Sequence, residues 1–407
     1  REEVEAAKPT TQPEPKEELQ KRKPKPEKPP EQAEPLAVLE RRLTGHKGWV
    51  NSVAVSPDGK WAVSGAGSPS NPDPTIKIWD LETGECLATL EGHTDDVLSV
   101  AITPDGEIFI SGSFDNTARL WNTKENKLIA TWDDHHNVVI SAVALADSKR
   151  ALTFGNDDSI ALWNLPGICR IKSFDVRDLR SGTADPNGKI AIVGRSDGAI
   201  DCWNLETGKM LGTLKGHSSC VRSVQIMKDG RFAVSGSDDK TVKIWDLEAG
   251  TCVGTLEGHQ YSVPSVAVSP DGTLIASTGF LDETVRLWDW KSGACVQVIE
   301  FDKIPSPCLI CLPPAELREE MVTEFDIVPS PISVTFSPDG ARLVVGAARG
   351  TIYVYRLTSV STAPPAEASR RYVNAKVVLL GEGAVGKTSL AYRLIDDQYV
   401  VKDRTHG

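Results

Sequence analysis

Eight residues near the end of the printed sequence have the spacing of a phosphate-binding loop. GEGAVGKT, residues 381–388, follows the pattern G-x-x-x-x-G-K-[ST]. The apolar run KVVLL precedes it and SLAYRLI follows it, so the loop is predicted to lie between a strand and a helix. Backbone N–H groups at the helix start would surround phosphates, while Lys387 adds a positive charge and Thr388 offers a hydroxyl to Mg²⁺. The predicted nucleotide-binding residues are Gly381, Gly383, Ala384, Val385, Gly386, Lys387, Thr388 and Ser389.

A second set of candidate chemical groups consists of His, Asp and Ser residues at recurring distances. His46, His93, His217 and His259 each follow a Gly, and His135 lies at the same place in its own segment. One His–Asp–Ser trio could form a hydrolase triad. Repetition of the set in five segments argues against a single active site and favours a structural role.

The elements that position these histidines are repeats marked by tryptophan. Trp79, Trp121, Trp163, Trp203, Trp245 and Trp288 lie 42, 42, 40, 42 and 43 residues apart, and Tyr355 takes the Trp position in a seventh unit. Each unit alternates apolar and polar residues, as in SVAVS, turns at a segment such as SPDG, and ends in a strand such as TVKIWDL. A period in the low forties with Gly-His and Trp-Asp signatures indicates four strands per unit, stacked as propeller blades.

The repeats, over residues 36–357, resemble the WD-repeat (WD40) family. We therefore expect an all-β, seven-bladed β-propeller that binds a protein partner on one face and is not itself an enzyme. The last unit lacks an outer strand. The N-terminal segment LAVLERRLTGH has the same placement before a Gly-His pair as the outer-strand segment CLATLEGH of the first unit. Residues 37–42 are thus predicted to pair with residues 351–357 and close the ring.

The resemblance also implies an internal hydrogen-bond relay from His through Ser or Thr to Trp, with an Asp on the other ring nitrogen. Units four and seven depart from this pattern, since Val193 and Val345 replace the hydroxyl residue. We expect these two blades to be less stable locally. The predicted relays are His93 with Ser111, Asp115 and Trp121, His217 with Ser235, Asp239 and Trp245, His259 with Thr278, Asp282 and Trp288, His135 with Thr153, Asp157 and Trp163, and His46 with Ser64, Asp73 and Trp79.

Residues 372–407 differ in kind from the repeats. KVVLLGEGAVGKTSL resembles Ras-like GTPases, and the later RTHG is similar to the Roc branch of that family. This resemblance implies GTP as ligand and Mg²⁺ held by Thr388 and Thr405, with Thr405 as the first-switch threonine. The sequence predicts a propeller coupled to a GTP-binding switch whose α/β domain is incomplete here, in a chain cut at both ends. Because one strand and one helix lack a supporting sheet, we expect no GTP hydrolysis and weak GTP binding. Two alternatives stay open: a pure interaction scaffold with a vestigial P-loop, and an ATP-driven WD-repeat regulatory NTPase.

Composition restricts the partner classes. The net charge of −11 disfavours nucleic acid, whose binding depends on Lys and Arg, and no apolar run reaches the length of a membrane span. We expect a cytoplasmic protein. Residues 1–35, with eight Pro and nine Glu, and the Ser/Thr/Ala/Pro segment 358–371 are predicted linkers.

Cysteines and insertions complete the sequence prediction. Cys86, Cys252 and Cys295, each seven residues after a Trp, and Cys169, six residues after one, are expected to be buried thiols. The lone pair Cys308 and Cys311 lacks further ligands at zinc-site spacing. About 25 extra residues between Glu300 and Pro331, and the shorter AGSPSNPDP of unit one, are expected to meet on one rim, where they either bind a partner or cover an imperfect blade.

Overall fold

The computed structural model describes residues 35–167, 170–185, 187–301 and 330–358. Within these ranges the chain forms 28 β-strands and one short 3-10 turn, Ala348–Gly350. The strands assemble into seven four-stranded antiparallel sheets, the blades of a propeller. The all-β, seven-bladed prediction is confirmed. The α/β P-loop segment, 372–407, lies outside the described residues, as do both predicted linkers apart from Pro35 and Thr358.

Each blade runs from an innermost to an outermost strand. Blades one and two comprise β2 Val50–Val55, β3 Trp61–Ala66, β4 Ile76–Asp80, β5 Cys86–Leu90, β6 Val97–Ile102, β7 Ile108–Ser113, β8 Ala118–Asn122 and β9 Lys127–Trp132. Blades three and four comprise β10 Val139–Ala144, β11 Arg150–Gly155, β12 Ser159–Asn164, β13 Arg170–Asp175, β14 Leu179–Ala184, β15 Ile190–Arg195, β16 Ile200–Asn204 and β17 Lys209–Leu214. Blades five and six comprise β18 Val221–Ile226, β19 Phe232–Ser237, β20 Val242–Asp246, β21 Thr251–Leu256, β22 Val266–Val268, β23 Leu274–Gly279, β24 Thr284–Asp289 and β25 Ala294–Glu300. Blade seven combines β26 Pro331–Phe336, β27 Arg342–Ala347 and β28 Thr351–Leu357 with β1 Ala37–Thr44.

The ring closes as the repeat register predicts. Strand β1 is the outermost strand of blade seven and pairs antiparallel with β28, from Ala37 opposite Leu357 to Thr44 opposite Thr351. Leu43 is 1% exposed and packs in a cluster with Trp79 and Ile352. The first and last strands therefore tie blade one to blade seven, and the prediction for residues 37–42 is confirmed.

The core lies between the blades. Apolar side chains of one blade pack against the innermost strands of the next, for example Ile76 and Leu90 of blade one against Val97 of blade two. Seven such clusters follow one another around the described ring. Period-two alternation buries the faces of the central strands, and burial of this apolar surface is the main stabilising contribution.

Serine residues join the innermost strands of neighbouring blades. Each blade contributes one serine at the same position, and each serine hydroxyl makes a hydrogen bond to the backbone of the next blade. Four hydroxyls accept an N–H bond: Ser52 from Val100, Ser99 from Ala142, Ser223 from Val266 and Ser265 from Val334, at 3.0–3.2 Å. Three donate to a carbonyl: Ser141 to Gly182, Ser181 to Val221 and Ser333 to Val50, at 3.0–3.2 Å. The set closes on itself around the central channel.

Candidate interaction face and its histidine relays

One end of the propeller carries both the turns between the second and third strands of each blade and the connections between blades. His93, in the connection before β6, bonds Asp115 in the turn between β7 and β8. The same contact recurs in blades one, three, five and six. These bonds place the two kinds of loop side by side, and we call this end the relay face.

The relay geometry is complete in blade five. His217 Nδ1 lies 2.7 Å from Asp239 Oδ2, and His217 Nε2 lies 2.7 Å from Ser235 Oγ. The indole N–H of Trp245 donates to the same Oγ at 2.7 Å. Because a carboxylate only accepts, Nδ1 carries the proton and the serine hydroxyl donates to Nε2. Four polar groups are thereby satisfied in one chain of bonds.

The other relays follow the same plan. The bonds join His93 to Ser111 and Asp115 with Trp121, His135 to Thr153 and Asp157 with Trp163, and His46 to Ser64 and Asp73 with Trp79. These three sets, together with that of blade five, have the members that the sequence predicts.

Blade six corrects one predicted member. His259 Nε2 bonds Ser277 Oγ at 2.8 Å and Trp288 donates to that same hydroxyl at 2.8 Å. The predicted Thr278 is wrong: its hydroxyl accepts from the N–H of Ser265 instead. The turn after β23 has one extra residue, so counting back from Trp288 misses the hydroxyl by one position. The distance from the histidine is 18 residues, as in every other relay.

Burial excludes nucleophilic chemistry at the relays. The hydroxyl residues Ser64, Ser111, Thr153, Ser235 and Ser277 are each 0% exposed, so no substrate reaches them. Burial also lowers the pKa of His46, His93, His135 and His217 below the ordinary value, although the neighbouring carboxylates oppose this shift. For Asp115, burial disfavours ionisation, but hydrogen bonds from His93 and Thr117 outweigh it and lower the pKa of the carboxyl. These four histidines are therefore neutral imidazoles at neutral pH.

Blades four and seven have no relay. In blade four, Val193 is fully buried where a hydroxyl would stand, and Trp203 Nε1 is buried with no hydrogen-bond partner among the described residues. Arg195 bonds Asp197 at 2.7 Å and Asp201 at 3.2 Å in place of a histidine. In blade seven, Val345 is buried, and Tyr355 packs edge-on against Phe301. The predicted departures are confirmed in geometry.

Large side chains are exposed on the relay face. Phe114, in the turn between β7 and β8, is 46% exposed, and Tyr261, in the connection before β22, is 48% exposed. Leu281 of the turn after β23 is 37% exposed, and the ring of Trp49 packs at a tilt of 55° against Phe280 of the same turn, with 5.8 Å between the ring centroids. Aromatic side chains of this kind supply most of the energy at protein interfaces. This face is therefore the candidate binding surface.

A central cavity of about 310 Å³ lies along the innermost strands and is lined by the channel serines. Arg180 and Arg222, from neighbouring blades four and five, also line it. The sequence analysis did not identify these residues. The signal was present, since a serine stands at one register position of all seven units, in segments such as NSVAV, LSVAI and RSVQI.

The outer strands correct the cysteine prediction. Cys86, Cys252 and Cys295 are exposed free thiols, not buried ones. They lie near the start of β5, β21 and β25, whose burial is confined to the far end of each strand. Within the described part of the chain no further sheet covers these outer strands, so the same position is exposed in each blade. Cys169, Cys308 and Cys311 lie outside the described residues.

Several predicted features also lie outside the described residues. They comprise the long insertion before β26, from 302 to 329, and all nine predicted nucleotide-binding residues, including Thr388 and Thr405. In the described ranges no group of His, Cys, Asp and Glu has a metal-binding arrangement. No helix in those ranges has the length and apolar character needed to cross a membrane.

Comparisons with known proteins support the repeat assignment. A family described as "WD domain, G-beta repeat" matches residues 37–80, 84–122, 208–246, 250–289 and 328–356. The chain thus carries WD40 repeats arranged as a seven-bladed propeller. The unmatched stretch between 122 and 208 contains blade three, which has a relay, and most of blade four, which has none.

Three similar proteins share short segments with this chain. A Pre-mRNA-splicing factor prp46 of Emericella nidulans is 47% identical over 64 residues, 16% of this chain and 13% of that protein. A Pre-mRNA-splicing factor PRP46 of Yarrowia lipolytica is 50% identical over 50 residues, 12% of this chain and 10% of that protein. Pleiotropic regulator 1 of Homo sapiens is 42% identical over 65 residues, 16% of this chain and 12% of that protein. The chain spans 10–13% of the length of these relatives.

Proposed function

We propose that this chain is a protein-interaction scaffold that binds its partner on the relay face of the propeller. One observation carries the proposal: the His, Asp and Ser or Thr side chains that could do chemistry are buried and hydrogen-bonded to one another in the relays, whereas aromatic side chains are exposed in the loops of the same face. The relays fix the turns that bear Phe114 and, through Asp282, the turn that bears Leu281. Rigid loops bind with a smaller loss of conformational freedom than mobile ones.

Affinity capture from a lysate of the source organism tests this function. The relay-face variant combines Phe114→Ala, Tyr261→Ala and Leu281→Ser. The matched control carries Leu87→Ser and Val253→Ser, which alter exposed apolar residues of outer strands β5 and β21. We expect wild type and control to enrich the same partner and the relay-face variant to lose it. Equal enrichment by all three proteins, or enrichment of none, would refute the proposal.

A second candidate function couples this scaffold to a nucleotide. It is supported by the sequence motif at 381–388, with GTP and Mg²⁺ as ligands and Thr388 and Thr405 as metal-binding residues. Calorimetry with GTP, and separately with ATP, in the presence of Mg²⁺ tests it on the chain as it stands. Micromolar binding that Lys387→Ala abolishes supports this candidate. Binding that is weak and insensitive to Lys387→Ala favours a scaffold with a vestigial P-loop.

The compartment follows from the partner. The sequence favours the cytoplasm, whereas the similar proteins from Emericella and Yarrowia are named as pre-mRNA-splicing factors, an activity of the nucleus. The shared segments are about one and a half repeats long and support the repeat type more than the activity. We propose protein partners in either compartment, and the net charge of −11 disfavours direct nucleic-acid binding. Microscopy of the fluorescently tagged chain separates the two locations.

A further inference from the structure

The central cavity presents hydrogen-bond donors that the protein itself does not use. Four serine hydroxyls of the cavity wall each accept a hydrogen bond from a backbone N–H of the next blade: those of Ser52, Ser99, Ser223 and Ser265. Among the described residues, none of these four hydroxyls donates to a protein acceptor. A hydroxyl keeps one donor in addition to its acceptor sites, so the wall of the channel carries four donors that only an occupant or water can satisfy.

Positive charge lies on one side of the same cavity. Arg180 donates to the side-chain oxygen of Asn156 and to the carbonyl of Leu179, and no carboxylate among the described residues forms an ion pair with it. Arg222 is paired with Asp238, whose Oδ2 lies 2.9 Å from its Nε. Both guanidinium groups act on the pKa of the Cys220 thiol, which burial raises and the two positive charges oppose. Arg180 and Arg222 stand at equivalent positions of adjacent blades and both line the cavity, and of the two only Arg222 has an ion-pair partner among the described residues.

Apolar residues flank the two arginines around the ring. Ile140 and Pro264 stand at the equivalent position of the adjacent blades, Leu98 and Ile332 stand one blade further on, and Asn51 of blade one lies across the ring. The Arg side opens at the relay face, because Asp238 belongs to the turn between β19 and β20. An occupant with an aliphatic stem and a negatively charged end would match both the apolar residues and the arginines.

We propose that this cavity binds the carboxylate side chain of an acidic segment of the partner protein. This inference rests on the proposed scaffold function and names the chemistry of its partner. A carboxylate accepts several N–H and O–H donors at once, and Arg donates to it in a planar, bidentate geometry. A cationic side chain would meet the uncompensated guanidinium. An apolar one would remove water from the serine hydroxyls without giving them an acceptor, which costs free energy.

Binding of a fluorescein-labelled hexaglutamate peptide, measured by anisotropy in about 150 mM salt to screen the overall negative charge, tests the proposal. A hexaserine peptide is the uncharged control. Arg180→Gln removes the channel charge, and the matched variant Lys209→Gln removes the same charge from the exposed outer strand of the same blade. We expect wild type to prefer hexaglutamate, Arg180→Gln to weaken its binding about tenfold, and Lys209→Gln to change it less than about twofold. Arg180→Lys, which keeps the charge but loses the planar bidentate geometry, should weaken binding less than Arg180→Gln does.

Three outcomes overturn the proposal: equal binding of the two peptides, equal loss in Arg180→Gln and Lys209→Gln, or full displacement of hexaglutamate by an equimolar amount of inorganic phosphate. The last result would identify a free-anion site. Circular dichroism of each variant verifies folding, and Arg180→Lys supplies the result should Arg180→Gln not fold. Partner capture that depends on the relay face but no hexaglutamate binding would remove the channel inference and leave the scaffold standing. Hexaglutamate binding without partner capture would remove the scaffold proposal and leave an anion-binding channel.

Discussion

Replacing Asp239 by Ala removes the carboxylate at the centre of the blade-five relay. Its Oδ2 accepts from His217 Nδ1 and from the N–H of Ser218, and its Oδ1 accepts from the N–H and hydroxyl of Thr241, at 2.7–3.0 Å. The His217 side chain is 0% exposed, so the substitution leaves its buried Nδ1–H without the carboxylate acceptor. A buried donor without a partner costs about 1–3 kcal/mol, and loss of the turn contacts adds to this. We expect Asp239→Ala to lower the free energy of unfolding by about 2–4 kcal/mol.

Asp197 is the matched position in blade four, which has no relay. Its carboxylate is 51% exposed and accepts from Arg195 and from the N–H of Ala199. Arg195 keeps Asp201 as a partner, so Asp197→Ala should cost at most about 1 kcal/mol. Urea denaturation followed by tryptophan fluorescence and circular dichroism measures both. Equal midpoints would refute the view that the relay stabilises blade five. Thr241→Val in the Asp239→Ala background tests whether the Thr241 hydroxyl, 3.3 Å from Nδ1, takes over as acceptor.

Three further predictions concern protonation, ring closure and the outer strands. Burial lowers the pKa of His217 in the folded state, so the unfolded chain binds more protons than the folded chain below about pH 6.5. The contribution of the neutral imidazole to stability is therefore present above that pH and is lost as the pH falls through it. In thermal unfolding between pH 7 and 5, the melting temperature of His217→Gln should decline less steeply than that of the wild type. Leu43→Ala should cost about 2–5 kcal/mol, whereas Leu39→Ala in the same strand, at a side chain that is 40% exposed, should stay within about 0.5 kcal/mol in urea denaturation. Maleimide should label Cys86, Cys252 and Cys295 in the native protein and spare Cys202, since burial raises the pKa of that thiol to about 11; peptide mapping by mass spectrometry would contradict the exposure of the outer strands if it found Cys202 modified first.

The sequence predicts this fold well because its signals are repeated. Trp at a regular spacing defines the third strand of six blades, and the missing outer strand of blade seven identifies β1 as its replacement. Prediction by register fails where a turn changes length: one added residue after β23 moved the expected hydroxyl from Ser277 to Thr278. Measuring from the histidine avoids this error, because the hydroxyl lies 18 residues after His259, as it does after the histidine of every other relay.

Repetition misleads where it is taken as evidence of burial. Cys86, Cys252 and Cys295 occupy one repeated position, and that position faces outward on the edge strand of each blade. The channel serines show the opposite case, since their repeated position does carry a shared contact, but the contact reaches the next blade. A pattern within one repeat shows which strand a residue occupies. It does not show which neighbour the side chain meets, because that depends on closure of the ring.

The histidine relays and the unpaired channel arginine lie in different blades. Five blades hold their loops with a buried imidazole and carboxylate, and those loops present Phe114 and Tyr261 on a firm support. Blade four has no relay, and among the described residues Trp203 Nε1 has no hydrogen-bond partner and Arg180, which lines the channel, has no ion-pair partner. Natural proteins break their own structural rules most often at functional sites, where the loss in stability is offset elsewhere in the molecule. Blade four nevertheless keeps the serine bonds that join every pair of adjacent blades, from Ser141 to Gly182 and from Ser181 to Val221. Blade four, one of the two blades without a relay, is thus held at the channel by these bonds, where it supplies the charge that the proposed partner would meet.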